Sequence, residues 1–311
     1  MEYSLSVLKD PSRIPELIEL FRTGLGETTE AYWMWRLFTD NGQPDPPIAV
    51  AVEDEAGTLC AMSTILPIIY GGGTSHRKCL QFCDWVVRPD RRGRGLIRMI
   101  YDFVCRLYQE KEYDFILEFP NDNSYPIFTK YGFCEEPPIP CFSSPRRLPA
   151  IRPRLTDFSA DGVEVCFSDS CPLTDEIFTR PDRIERTPAY LRWKYDQNPD
   201  TDYKWVGFRQ NGSFIGYIVY TLTRGRLRTA VNVYDWEYPL SDTAAFCKAI
   251  RAIGRLGSFV SIWGRYDARS LALLGQCGLK ESAGGTRLML KSLSAAGCPE
   301  SLTLTRIDTD Y

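Results

Sequence analysis

The chain has 311 residues, 44% of them apolar and 25% charged, which suits a folded chain of roughly two domains and excludes a disordered or fibrous protein. Its 37 basic and 40 acidic residues leave a net charge of −3, so no global basic surplus can hold nucleic acid or an anionic membrane by counterion release. Any basic site must be local. In chain order, Leu5–Val7 predicts a strand and the apolar spacing of Ile14–Phe21 a helix, with no basic, apolar leader at the N-terminus and hence no signal peptide expected. A second helix follows at Thr29–Arg36, then a hairpin of Ile48–Val52 and Leu59–Ile68. The uncharged run Gly57–Ser75 is broken by Pro67 and three glycines, so it reads as strand and turn rather than as a membrane span. Strand Leu80–Val87, helix Leu96–Glu110, strand Phe115–Phe119 and helix Ser124–Lys130 complete a first set.

Ser143–Arg154 carries three prolines and four arginines, the composition of an extended linker, set at residues 146–159. A nucleic-acid arm is the sharper reading, and the acidic balance around it speaks against that. Beyond it come strand Val163–Val165, helix Leu173–Phe178, and the elements Ala230–Trp236, Asp242–Ile253, Phe259–Trp263 and Ala268–Leu274. Strands alternating with helices predict an α/β (α+β) fold built on a mixed sheet.

The chain also repeats itself. Thr29-Glu-Ala-Tyr-Trp-Met-Trp-Arg36 is echoed by Thr187-Pro-Ala-Tyr-Leu-Arg-Trp-Lys194, Glu55-Ala-Gly57 by Gln210-Asn-Gly212, Asp84-Trp85 by Asp235-Trp236, and Tyr131-Gly-Phe133 by Cys277-Gly-Leu279. The offset falls steadily from 158 to 146, as shorter loops in a second copy require. The organisation expected is therefore a domain over 1–145, the linker, a second copy over 160–292 and a tail over 293–311. Trp33, Trp35, Tyr190 and Trp193 invite an aromatic pocket, but two of them recur in both copies, which favours core packing.

Eleven cysteines with no Cys-x-x-Cys pair suit free thiols in a reducing, cytoplasmic setting. A single histidine, His76, leaves no ligand set for structural zinc and no partner for a histidine-dependent hydrolase; no metal is expected, and His76 reads as a solvated turn residue.

The informative segment is Asp84-Trp-Val-Val-Arg-Pro-Asp-Arg-Arg-Gly-Arg-Gly-Leu-Ile-Arg98, an apolar strand that ends in a Gly/Arg loop and enters a helix. Gly93 and Gly95 let successive backbone N–H groups turn inward, the helix N-terminus adds its dipole, and Arg91, Arg92, Arg94 and Arg98 bring charge, so phosphate is a natural ligand. The spacing fits neither a P-loop nor the dinucleotide Gly-x-Gly-x-x-Gly. An ordinary basic surface turn is the plainer alternative.

Val87-Arg-Pro89 followed by Arg92-Gly-Arg-Gly-Leu-Ile97 resembles the acyl-CoA signature of the GNAT superfamily of N-acetyltransferases. Asn121-Asp-Asn-Ser124 leading through Phe128 to Lys130-Tyr-Gly-Phe133 is similar to that superfamily's second motif. The resemblance implies a tandem GNAT-like protein with acetyl-CoA as co-substrate. It assigns backbone contacts with the cofactor arm to Trp85, Val86 and Val87, the pyrophosphate to the loop Arg92, Gly93, Arg94, Gly95, Leu96 and Ile97, and positions beside the arm to Asn121 and Phe128. Ile97 departs from the small residue usual at the end of the loop. Phe128 stands where many members carry a tyrosine that protonates the departing thiolate, leaving Tyr125, or Tyr131 if it is not a core aromatic, as substitutes.

Asp84 and Glu118 are the candidate bases: a carboxylate inside the apolar strand Phe115–Phe119 needs a partner or a task. Asp84 recurs as Asp235 in the second copy, which favours a structural role. After Asp235-Trp236 that copy has no paired glycines and no arginine loop, so it should not bind CoA, and by the resemblance it would help to build the acceptor site. The tail ends in alternating residues that predict a short strand, either frayed with Asp308 and Asp310 in solvent or reaching the acceptor.

The reading that results is an acetyl-CoA-dependent N-acetyltransferase acting on a primary amine of a small molecule by direct attack in a ternary complex. Its alternatives are a non-catalytic acyl-CoA-binding module, which Phe128 favours, and a tandem GNAT aminoacyl transferase, whose bulky donor suits the tight loop poorly. The sequence names neither the acceptor nor an oligomeric state.

Overall fold

A computed structural model describes residues 2–71, 76–145, 154–176, 178, 182–226, 228–240 and 243–308. The linker residues 146–153, most of the triple-glycine turn, and Asp310 lie outside the described residues. Two units emerge, each discontinuous in sequence: Met1–Glu136 with Gln197–Asp200 and Met289–Pro299, and Pro137–Asp196 with Thr201–Leu288 and Glu300–Tyr311. The first unit thus takes in two later segments beside its N-terminal 136 residues, and the second takes in the tail from Glu300.

The first unit runs β1 (Tyr3–Leu8), α1 (Ile14–Arg22), α2 (Glu30–Phe38), β2 (Ile48–Asp54), β3 (Leu59–Tyr70), β4 (Arg77–Val87), α3 (Leu96–Glu110), β5 (Phe115–Glu118), α4 (Tyr125–Lys130) and the start of β6 (Cys134–Ser143). β1 to β4 pair antiparallel in sequence order, β5 joins β4 in parallel, and a late segment, Met289–Ser292, closes the sheet antiparallel to β5. Both faces of this sheet are covered. In β2, Val50 and Val52 pack with Ile100 and Val104 of α3, while the alternate residues Ala49 and Ala51 pack with Leu17 of α1 and Trp33 of α2. The helix α3 buries Leu96, Ile100, Tyr101, Val104 and Tyr108, one stripe at helical spacing, and each such side chain contributes about 1.5–3 kcal/mol.

The second unit carries the rest of β6, then β7 (Phe158–Ala160), β8 (Val163–Ser168), α5 (Pro188–Leu191), β9 (Lys204–Gln210), β10 (Ser213–Arg224), β11 (Thr229–Glu237), α6 (Ala244–Gly254), β12 (Phe259–Arg265), α7 (Ala268–Gln276), most of β13 (Lys280–Ser292) and β14 (Leu304–Thr305). β7 to β11 pair antiparallel in sequence order, and β12 joins β11 in parallel. Its core sets Phe246, Ile250 and Ile253 of α6 against Phe208, Val231 and Ile262.

The repeat is visible in local chemistry. Thr29 and Thr187 each accept a hydrogen bond from the amide three residues on, at 3.1 Å, and so cap their helices identically. Gly132 and Gly278 both adopt left-handed backbone past a helix end, where Phe133 and Leu279 donate six-residue bonds back to Phe128 and Leu274. Trp33, Trp35, Tyr190 and Trp193 are all buried, as core packing requires.

Two expectations need correction. Leu173–Phe178 forms no helix among its described residues: the Glu176 carboxylate accepts from the amides of Thr174 and Asp175 and closes a turn, leaving Phe178 in an isolated bridge to Arg186. The tail is not frayed through Asp308. Leu304–Thr305 pairs with β12, a 3-10 turn covers Arg306–Asp308, and Asp308 is 1% exposed. No helix among the described residues is long and apolar enough to cross a membrane.

Candidate active site

In the first unit β4 and β5 are paired only at Cys79–Phe115 and Leu80–Ile116, although β4 runs on to Val87. From there the two parallel strands part. The end of β4 keeps β3 on one side, Val86 facing Met62 and Val87 facing Ala61, and among the described residues has no strand on the other. The chain bulges here: Asp84 takes a left-handed φ of 54°, which shifts the register by one residue beside Trp85.

Past β4 the chain makes a 3-10 turn at Pro89–Arg91 and reaches α3 through an exposed loop. Gly93 and Gly95 have φ of 76° and 77°, in the region that disfavours any other residue. An added Cβ at either would meet nothing within 4 Å, so backbone conformation rather than space demands glycine. Gly95 is the N-cap of α3 and offers no side chain to it, which leaves the first amides of the helix, at Leu96, Ile97 and Arg98, aimed at the loop.

The five arginines divide. Arg88 bonds Asp90 at 3.2 Å, Arg91 lies 3.3 Å from Asp54, and Arg98 pairs with Asp102 at 2.7 Å. Arg91 and Arg98 are therefore committed, contrary to the expectation that both serve a ligand. Arg92 and Arg94 are exposed, with no carboxylate within ion-pairing distance among the described residues.

The other candidates are placed as follows. Glu118, 3% exposed at the end of β5, accepts the Phe82 amide at 2.6 Å across the parting strands. Asp84 lies 3.9 Å from the fully buried guanidinium of Arg36. Phe128 is buried, its ring 4.7 Å from Trp85 and 4.9 Å from Phe133. Tyr125 is half-buried and donates its hydroxyl to Glu135 at 2.7 Å. Tyr131 stacks on Tyr101 at 4.6 Å beneath the Arg98 guanidinium, and burial pushes its hydroxyl pKa up, the behaviour of a core aromatic. The Asn121 side-chain oxygen accepts the amides of Asn123 and Ser124, so it shapes the entry to α4. Glu135 and Arg36 escaped sequence reasoning because pairing across the fold leaves no local signal.

The second unit treats the same place differently. β11 and β12 pair from Ala230–Phe259 to Val233–Ile262. Beyond that, β14 lies against β12, and Thr305 donates its hydroxyl to Asp235 on β11 at 2.9 Å. Arg186 bonds both Asp235, at 2.9 Å, and Asp308, at 2.6 Å, while Arg183 bonds Asp235 and Glu237. Burial alone would raise the Asp235 carboxyl, but Arg186 and Arg183 hold it below the usual range. Among the described residues no group of three or more His, Cys, Asp or Glu side chains is placed to hold a metal ion.

Residues 9–135 match the model of the acetyltransferase (GNAT) domain. Among solved structures, a conserved protein of unknown function from Enterococcus faecalis, described as a probable N-acyltransferase, superposes with TM-score 0.65 at 12% identity, over 94% of this chain and 73% of that one. A GCN5-related N-acetyltransferase from Anabaena variabilis gives 0.62 at 14% identity, over 94% and 73%. A tandem GNAT protein from the clavulanic acid biosynthesis pathway gives 0.53 at 11%, over 94% and 99%. No curated protein sequence matches. At these identities the likeness is one of fold. Taken with the glycine loop and the parted strands, the match over residues 9–135 gives the first unit the fold of the acetyltransferase (GNAT) domain, and the whole chain has the fold of a tandem GNAT protein.

Proposed function

We propose that the protein transfers an acetyl group from acetyl-CoA to a primary amine of a small molecule, in the first unit and by direct attack within a ternary complex. The observation that carries this reading is the loop 92–97, where two left-handed glycines, uncapped helix amides and the exposed Arg92 and Arg94, with no ion pair among the described residues, lie within six positions. The residues present fit an acyl-CoA. The amides of Leu96 and Ile97 would receive the pyrophosphate with Arg92 and Arg94, and the strandless edge of β4 at Trp85–Val87 would receive the extended arm. The buried Trp85 indole N–H, which has no acceptor among the described residues, adds a donor there. When bound, the thioester supplies an activated acetyl group.

The chain's own residues orient the reactants and move protons. Glu118, at the parting of the strands, is assigned as acceptor of the amine proton, and Tyr125 as donor to the departing thiolate in place of Phe128. Asp84, held by Arg36 at the bulge, is assigned to shaping the strand. No metal enters the scheme, and the setting proposed is cytoplasmic.

Calorimetry with acetyl-CoA on the wild type and on Gly93→Asp/Gly95→Asp, beside thiol release with a panel of small amines, tests the reading. Binding is expected to weaken at least tenfold in the double variant, since each charge-assisted hydrogen bond lost costs about 1.5–3 kcal/mol. Amine-stimulated thiol release is expected in the wild type alone. Tight binding with no turnover on any amine would instead favour a non-catalytic acyl-CoA-binding module, the reading that Phe128 supports. Absence of binding would overturn both.

A further inference from the structure

Four of the eleven cysteines settle against backbone. Cys60, Cys79, Cys83 and Cys166 each donate to a carbonyl oxygen, at 3.3 to 3.9 Å. Cys247 and Cys277 do not: their sulfurs face each other at 3.1 Å, 30 residues apart in sequence. Both belong to the second unit and are nearly buried, at 7% and 9% exposure. Cys247 stands in α6 and Cys277 is the C-cap of α7, so the two sulfurs join the helices that precede and follow β12. A disulfide needs about 2.05 Å between sulfurs, a closure of about 1 Å.

The pair is also unequal. The hydrogen bond between the thiols, helped by Arg251 one helical turn on, lowers the Cys247 pKa to about 7 against the opposing effect of burial. The same hydrogen bond and burial push Cys277 up. The thiolate is the nucleophile, and the Arg251 cation on the same helix favours it at Cys247, so the attack is assigned to Cys247.

We propose that Cys247 and Cys277 form a reversible two-electron redox site, closed to a disulfide by hydrogen peroxide and reopened by a dithiol. The Cys247 thiolate attacks one peroxide oxygen and the O–O bond breaks. The leaving hydroxide takes a proton to become water, and Cys247 becomes a sulfenic acid. Cys277 then attacks that sulfur, gives up its proton, and the hydroxyl leaves as a second water. The two thiols lose two electrons and one peroxide is reduced. The bond brackets β12 between its flanking helices and ties down a 30-residue loop, which raises stability by restricting the unfolded chain. This site stands independently of acetyl transfer.

The test is to titrate the full-length protein with hydrogen peroxide at pH 7.4, alkylate, digest without reduction and map the peptides by mass spectrometry, with exposed Cys134 as the accessibility reference. At the dose that oxidises Cys134, a peptide linking 247 to 277 is expected, the melting midpoint rises by about 5 °C or more, and dithiothreitol reverses both. Cys277→Ala abolishes the linked peptide and leaves Cys247 as a sulfenic acid that dimedone traps. Two separately alkylated thiols at that dose, in the wild-type protein, overturn the proposal whether or not the variant folds.

Discussion

Both units run two parallel strands side by side and then let them part, and they use the opening in opposite ways. In the first, the Glu118–Phe82 hydrogen bond spans the parting of β4 and β5, and among the described residues the edge of β4 beyond it carries no strand. In the second, the chain's own residues 304–308 enter the opening, and a cluster of two arginines and three carboxylates locks them there. Each unit also pairs an aspartate with arginine at the corresponding point of the strand, the half-buried Asp84 with Arg36 and the buried Asp235 with Arg183 and Arg186. The scaffold therefore sets where an opening forms, and what fills it depends on a few loop and tail residues.

The comparison breaks most visibly at those aspartates. Asp235→Ala should destabilise the second unit by about 3–5 kcal/mol, because it removes the buried carboxylate that Arg183 and Arg186 share and leaves two cations with Glu237 and Asp308 alone. Asp84→Ala, which removes one carboxylate at a longer distance from a single arginine, should cost about 1–3 kcal/mol. Denaturant melts of the two variants check the ranking, and equal losses would erase the distinction.

Next in size, Asp308→Asn should cost about 1.5–3 kcal/mol through the lost charge on Arg186 and leave acetyl-CoA affinity unchanged in calorimetry. Within the first unit, Arg92→Ala and Arg94→Ala should each weaken acetyl-CoA binding about fivefold, near 1 kcal/mol. Arg91→Ala and Arg98→Ala should change it less than about twofold, since a half-buried pair with Asp54 and an exposed pair with Asp102 already hold those side chains.

The smallest effect is expected from pH. With its native pKa depressed, Asp235 binds a proton less readily in the folded than in the unfolded chain, so its contribution is complete above the unfolded value of about 4 and drains away as pH falls through the native one. Melting of the second unit should therefore be insensitive to this group between pH 5 and 8 and fall only in acid, as pH-dependent melts of the wild type and Asp235→Ala would show.

Features fixed by neighbouring residues are legible in the sequence alone. The loop can be read because two left-handed turns at a helix start demand glycine, and the repeat because caps and helix-end glycines keep their spacing. Helix α3 matches its expected span from first residue to last. What stays hidden depends on residues distant in sequence: Arg186 meets Asp308 across 122 positions, and Arg91 is claimed by Asp54, 37 positions away. Leu173–Phe178 misleads for the opposite reason, since a side chain two residues on offers the backbone a nearer partner than the next helical turn.

The late strand has a consequence for how the protein is made. The segment Met289–Ser292 that borders β5 leaves the ribosome long after the rest of the first unit. Until then nascent β5 presents a bare edge of unpaired N–H and C=O groups, the kind of surface that recruits wrong partners. Vectorial synthesis thus cannot finish the first unit before the second is nearly complete, and a chain stopped near residue 288 would carry every residue assigned to acetyl transfer while lacking the strand that shields them from aggregation.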